Sequence, residues 1–154
     1  MNEKSRRFEE FLVKEDIQCF EKREMEDEDH TIVYRTYIQT DFGDVAAFVL
    51  LDDTLYATIR FVLGPGVVTK ENRQDILTFM NRENSVYKNF KYYIEDQDST
   101  VYLDCINQSL DANFDPGLVY VLTSHIVEYI YSNIETIISV FKVERLPSPE
   151  HNHG

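Results

Sequence analysis

The longest apolar segment of the chain, residues 115–142, has the period of an α-helix. Asp115 is suited to cap this helix and Pro116 to form its first turn. A helix that packs on one sheet needs an apolar arc of about 100°, and this segment carries roughly twice that. The apolar positions are Leu118, Leu122, Ile126, Val127, Tyr129, Ile130, Ile134, Ile137, Ile138, Val140 and Phe141. We therefore predict a long C-terminal helix that is covered from two directions.

Upstream of this helix the hydrophobic period changes to that of β-strands. Strands are predicted over residues 17–25, 31–40, 45–51, 55–63, 90–95 and 100–107, with turn residues between consecutive strands. Residues 45–51 are apolar on both faces, which is typical of a central strand. In residues 55–63 apolar and more polar side chains alternate, and this alternation fixes the register of that strand.

Two shorter helices complete the pattern, at residues 3–15 and from Thr69 to about Glu83. In the second helix, Ile76, Leu77 and Met80 are predicted to face inward, with Phe79 at the margin of that face. The order is α-β-β-β-β-α-β-β-α. Short turns between strands require antiparallel pairing, so the predicted class is α+β, with a sheet of about six strands. Residues 1–145 form one predicted domain, and residues 146–154 a flexible tail.

The predicted C-terminal helix is longer than the strands beneath it. At 1.5 Å per residue it spans about 42 Å, whereas a nine-residue strand spans about 30 Å. An apolar end that overhangs the sheet needs a partner, and a second copy of the chain is the simplest one. We therefore expect a homodimer. The candidate interface residues are Tyr120, Val127, Tyr131, Ile134, Ile138 and Phe141.

The charge of the chain narrows its possible partners. It has 28 acidic and 15 basic residues, a net charge of −13. A phosphate backbone or an anionic membrane surface would be repelled, so neither nucleic acid nor membrane is an expected partner. Basic segments of proteins would be attracted, although a negative charge also simply maintains solubility. The polar residues 1–7 and the lack of a long apolar run predict a cytoplasmic protein.

The sequence shows no catalytic, cofactor or metal signature. His125 has no zinc-ligand spacing on its helix, and the acidic segments at 26–29 and 96–98 lack the pattern of a calcium loop. Cys19 and Cys105 have no metal or redox spacing, and we expect both to be buried, reduced thiols. Tyrosines in the strands favour cross-strand pairs or, alternatively, a protein-binding patch; they are Tyr34, Tyr56, Tyr93 and Tyr102.

One segment suggests a family. Residues 77–84 read Leu-Thr-Phe-Met-Asn-Arg-Glu-Asn. This is similar to the helix ending in "N-x-x-N" of the YbjN-like family, and the hairpin at 90–103 and the last helix follow in the expected order. The resemblance covers roughly residues 5–142. It implies a type III secretion chaperone-like fold and a cytoplasmic, non-enzymatic binding protein, a homodimer by analogy, with no catalytic residues.

Three functional hypotheses follow. The first is a chaperone-like or regulatory binding module that holds a segment of an unknown partner protein on its sheet or on its helix. The second is an acidic regulatory protein that covers a basic site on a partner, as its net charge allows. The third and weakest is an enzyme that uses dispersed carboxylates. A steep loss of association rate with salt would indicate the second.

Overall fold

A six-stranded antiparallel sheet forms the centre of the structure, a computed structural model that describes residues 1–149. The helices are α1 (Glu3–Lys14), α2 (Arg73–Val86) and α3 (Pro116–Phe141). The strands are β1 (Glu21–Glu24), β2 (Ile32–Thr40), β3 (Gly43–Leu51), β4 (Tyr56–Gly64), β5 (Lys91–Glu95) and β6 (Thr100–Gln108). They lie side by side in the order β1-β2-β3-β4-β6-β5. The predicted α+β class, order of elements and long C-terminal helix are confirmed.

The three helices pack on the same face of the sheet. In α1, Phe8 meets Tyr34 of β2 edge to face, with ring centroids 4.9 Å apart. In α2, Phe79 meets Tyr92 of β5 in the same way at 5.6 Å. α3 contacts β2 and β4 below it, and α1 and α2 beside it. The wide apolar arc of α3 is thus covered from more than one direction, as predicted, but by elements of its own chain.

Three of the residues assigned to a dimer interface belong instead to this core. Ile134, Ile138 and Phe141 are buried in the cluster that joins the helices to the sheet. The apolar arc of α3 does not by itself reveal that α1 and α2 lie beside this helix in the same chain. Of the remaining candidates, Tyr120 and Tyr131 are exposed and Val127 is partly buried against the core. The homodimer itself stays a prediction.

Polar contacts fix the start of α1 to the sheet. Lys4 is fully buried, and its ammonium group donates hydrogen bonds to the carbonyl oxygens of Asp52, Thr54 and Tyr56. Beside it, the side chain of Asn2 caps the helix and also donates to the carbonyl oxygen of Leu51 at 2.9 Å. A buried ammonium needs such partners to be tolerated. These contacts fix the position of α1 over the β3–β4 turn.

Two predicted side-chain orientations differ from the structure. In α2, Leu77 is exposed and Phe79 is buried, because the Phe79 ring packs against Tyr92 on the sheet. Cys105 is buried, and burial raises the pKa of its thiol to about 11, but Cys19 is exposed. Cys19 precedes β1, which pairs with only the first four residues of β2, so the predicted strand over residues 17–25 is much shorter.

The predicted flexible tail begins with an ordered residue. Leu146 is buried, and its amide donates to the carbonyl oxygen of Phe42 at 2.7 Å. Its side chain lies against Gly43, where an added Cβ would approach Leu146 to 3.4 Å or less. The boundary at residue 146 is therefore too early, because the turn between β2 and β3 binds this residue. Residues 150–154 of the predicted tail lie outside the described residues.

A buried tyrosine network joins α2, β5 and α3. The hydroxyl groups of Tyr92 and Tyr129 lie 2.8 Å apart, and the Tyr129 hydroxyl donates to Glu83 at 2.6 Å. Burial raises the pKa of both phenols above their ordinary value, and the Glu83 carboxylate raises that of Tyr129 further. The folded state therefore favours the neutral, protonated form of both phenols.

This network predicts alkaline destabilisation. Because the folded-state pKa values lie above the unfolded value of about 10, the stabilisation is complete below about pH 10 and is lost as the pH rises toward the folded-state values. We expect the melting temperature to fall steeply above about pH 10, and the fall to be smaller in Tyr129→Phe. Thermal melts across this range, with tyrosinate absorbance, test this. The exposed Tyr131→Phe is the control, and an equal effect from both substitutions would contradict the prediction.

Candidate functional site: a groove on the open sheet face

The sheet face opposite the helices is open and concave. It forms a groove with a volume of about 530 Å³, within the range of ligand sites. The groove is lined by Glu21, Lys22, Arg23, Met25, Val33, Arg35, Phe48, Leu50, Arg60, Val62 and Tyr102. Because strand side chains alternate between faces, these are largely the residues that lie between the core positions of β1 to β4 and β6. We call this surface the open-face groove.

Apolar side chains form the floor of the open-face groove. Val33 pairs with Leu50 across β2 and β3, and Phe48 lies two residues further along β3. Val33, Phe48 and Leu50 are each partly exposed, whereas Val62 on β4 is buried. No helix covers this apolar floor, and it suits a ligand with apolar groups.

An ion pair between a partly exposed arginine and a buried aspartate lies at one side of the floor. The Nε and Nη2 atoms of Arg60 each lie 3.0 Å from an oxygen of Asp104, a bidentate geometry. The Asp104 side chain is only 3% exposed. Burial alone would lower the pKa of Arg60, but the hydrogen bond and charge of Asp104 outweigh it and raise that pKa. Arg60 is therefore a fixed, permanent cation.

Two tyrosines support this ion pair. The Tyr93 hydroxyl donates to Asp104 at 3.1 Å, and the rings of Tyr93 and Tyr102 stack with centroids 5.4 Å apart. The Arg60 guanidinium lies over the Tyr102 ring at 5.7 Å. Burial raises the pKa of Tyr93 to about 12, so its hydroxyl remains a donor at neutral pH. The predicted cross-strand tyrosine pairing is thus observed here, next to the groove.

Two further arginines line the other side. Arg35 of β2 is ion-paired with Glu21 of β1, and its guanidinium lies 5.3 Å from the ring centre of Tyr37. Arg23 makes no ion pair or hydrogen bond with the described residues through its side chain. Three arginines therefore meet two carboxylates, Glu21 and Asp104, at the groove of a chain whose net charge is −13.

Neither histidine in the described part of the chain, His30 or His125, lies at this groove. The His30 Nδ1 atom lies 2.7 Å from Asp53 in an exposed turn, and His125 is exposed on α3. His151 and His153 lie outside the described residues. Within residues 1–149 no group of three potential metal ligands is found. None of the helices described over these residues combines the length and the apolar character that a membrane span requires.

Sequence reasoning did not find the groove. The apolar residues on both faces of β3 indicated the groove in part, since Phe48 and Leu50 lie on the face of β3 that points away from the core. The pairing of Arg60 with Asp104, 44 residues apart, had no local signature.

The fold and the groove together define a class: an antiparallel sheet with helices on one face and a concave, arginine-bearing surface on the other. Comparisons with family models, curated proteins and solved structures found no match for the chain. The YbjN-like resemblance and the cytoplasmic location therefore stay predictions.

Proposed function

We propose that the protein is a non-enzymatic binding module that holds an extended segment of a partner protein in the open-face groove. The observation that carries this proposal is the apolar floor left uncovered when all three helices pack on the other side of the sheet. Exposed apolar floors of this kind are typical of interaction sites. A helix-covered core behind the floor keeps the groove in shape without a ligand.

The charged groups of the groove favour binding over catalysis. Asp104 directs its oxygens to Arg60 and Tyr93, and Glu21 is ion-paired with Arg35. Both oxygens of Asp104 accept hydrogen bonds from Arg60 or Tyr93, so neither is left to act as a general base toward a bound molecule. The exposed Glu21 carboxylate pairs with Arg35 through one of its oxygens. Both instead hold arginines in place. This arrangement supports a surface whose role is recognition.

A peptide selection tests the proposal. Random short peptides displayed on phage are selected on the wild-type protein and then assayed on Leu50→Lys, which places a long cation on the floor. We expect the selected peptides to bind this variant about tenfold more weakly or worse, a difference of about 1.4 kcal/mol. The control Tyr131→Lys changes an exposed residue of α3 on the other side of the sheet and should bind normally.

The binding comparison is valid only if both variants are folded. Both must therefore show the wild-type circular dichroism spectrum and a cooperative melt. Enriched peptides that bind Leu50→Lys as tightly as wild type would overturn the proposal, as would the absence of any enrichment. Enriched basic peptides whose binding is unaffected by Leu50→Lys and weakens steeply with salt would instead support the acidic-cover hypothesis.

A further inference from the structure

The strand register arranges the groove residues in rows that cross the sheet. In the first row, Val33 of β2 pairs with Leu50 of β3. Two residues along each strand, the second row places Arg35 beside Phe48 and Phe48 beside Arg60 of β4. The third row, two residues further, comprises Ala46, Val62 and Tyr102, together with Tyr37 and Tyr93 at its ends. The second row thus contains Arg35 and Arg60, which are ion-paired within the row with Glu21 and Asp104, and the rows on either side are mainly apolar apart from Arg23, which pairs with Val33 in the first row.

The spacing of these rows matches an extended peptide. Successive rows are two strand residues apart, or about 6.5–7 Å. In an extended segment that lies along the strands, side chains at i, i+2 and i+4 face the sheet at this same spacing. Each of the three side chains would therefore meet one row. The outer two would meet apolar surface, and the central one would lie over Phe48.

The central side chain would lie between two arginine positions, whose guanidinium groups lie over the rings of Tyr37 and Tyr102 in the third row. Arg35 and Arg60 are two strands apart, about 9.5 Å between backbones, with Phe48 between them. Arginine has five N–H donors, and Asp104 accepts from Nε and Nη2 of Arg60. The Nη1 group of Arg60 makes no hydrogen bond with the described part of the chain. Arg23 adds a third positive charge at the edge of the groove.

From this arrangement we infer that the recognised segment carries an acidic side chain flanked, two residues away on each side, by apolar side chains. A carboxylate at the centre would accept charge-assisted hydrogen bonds from the arginines. A lysine or arginine there has no acceptor for these hydrogen bonds. This inference rests on the proposed function, because it names the chemistry of the segment that the groove holds.

The test reads the sequences of the selected peptides. Among peptides whose binding is lost in Leu50→Lys, we expect enrichment of the pattern apolar, any, acidic, any, apolar. Replacing the acidic residue by glutamine should weaken binding about tenfold, since hydrogen bonds to charged groups are among the stronger ones. Moving it by one position, so that it faces solvent, should have the same effect.

A variant of the protein connects this preference to the groove. Arg35→Gln should weaken binding of the acidic peptide about tenfold and binding of its glutamine analogue less than about twofold, because only the former has a charge to lose. Arg6→Gln is the matched control: Arg6 is likewise paired with glutamates, but on α1.

The possible outcomes separate the two claims. Groove-dependent peptides that lack the acidic residue, or that keep their affinity in Arg35→Gln, would overturn this inference and leave the proposed function in place. A selection with no groove-dependent peptides would overturn both.

Discussion

Replacing Ile134 by aspartate should lower the free energy of unfolding by about 4 kcal/mol or more. Ile134 is 8% exposed and packs in the core beneath α3. The substitution removes buried apolar surface and places an unpaired charge among apolar side chains, and each change is strongly unfavourable. Urea unfolding followed by circular dichroism measures the difference.

Tyr131→Asp is the matched control for this prediction. Tyr131 lies one turn earlier on the same helix but is 49% exposed, so its replacement should change stability by less than about 1 kcal/mol. Equal losses at the two positions would contradict the arrangement of α3 described above. A loss at Ile134 that shrinks as protein concentration rises would place this residue at an interface after all.

Replacing Asp104 by alanine should lower the free energy of unfolding by about 3 kcal/mol. Arg60 would lose its bidentate partner while remaining partly buried, and the Tyr93 hydroxyl would lose its acceptor. Removing Asp104 leaves the Arg60 charge without its partner, and this is more unfavourable than removing both charges. Because the Arg60 side chain is 34% exposed, water compensates part of this charge, so the loss lies at the low end of the range for a buried pair. Urea unfolding of the variant tests the value.

The double variant Arg60→Met with Asp104→Leu provides the comparison. Since it removes both charges, it should be more stable than Asp104→Ala and close to wild type. Tyr93→Phe removes only a supporting hydrogen bond and should lower stability by about 1 kcal/mol. A loss in Asp104→Ala no larger than that in Tyr93→Phe would show that the ion pair is not the main contact of Asp104.

Much of the fold could be predicted because its signals are local. Asp115 and Pro116 mark the start of α3, and the Asp115 side chain does accept a hydrogen bond from the backbone amide of Leu118. The alternation in β4 fixed which residues face the core. The breadth of the apolar arc on α3 correctly indicated more than one covering surface. It could not indicate whether that surface came from the same chain.

The groove could not be predicted because it depends on what the helices leave uncovered. The apolar residues on both faces of β3 indicated a central strand. A sheet covered on both faces would explain this pattern as well as a sheet with one open apolar face. Phe48 is partly exposed and Val49 is buried because all three helices pack on the same face of the sheet. Similarly, Arg35 and Arg60 line the same groove because β3 pairs with both of their strands, and no local sequence pattern contains this relation.

The position of α3 has a consequence for biosynthesis. This helix follows all six strands in the chain, yet its apolar side is a large part of the cover over their inner face. A ribosome therefore releases the sheet before the helix that shields it from water. During that interval the nascent chain exposes an apolar surface that is prone to aggregation. Molecular chaperones would have to protect this surface until the last helix has been translated.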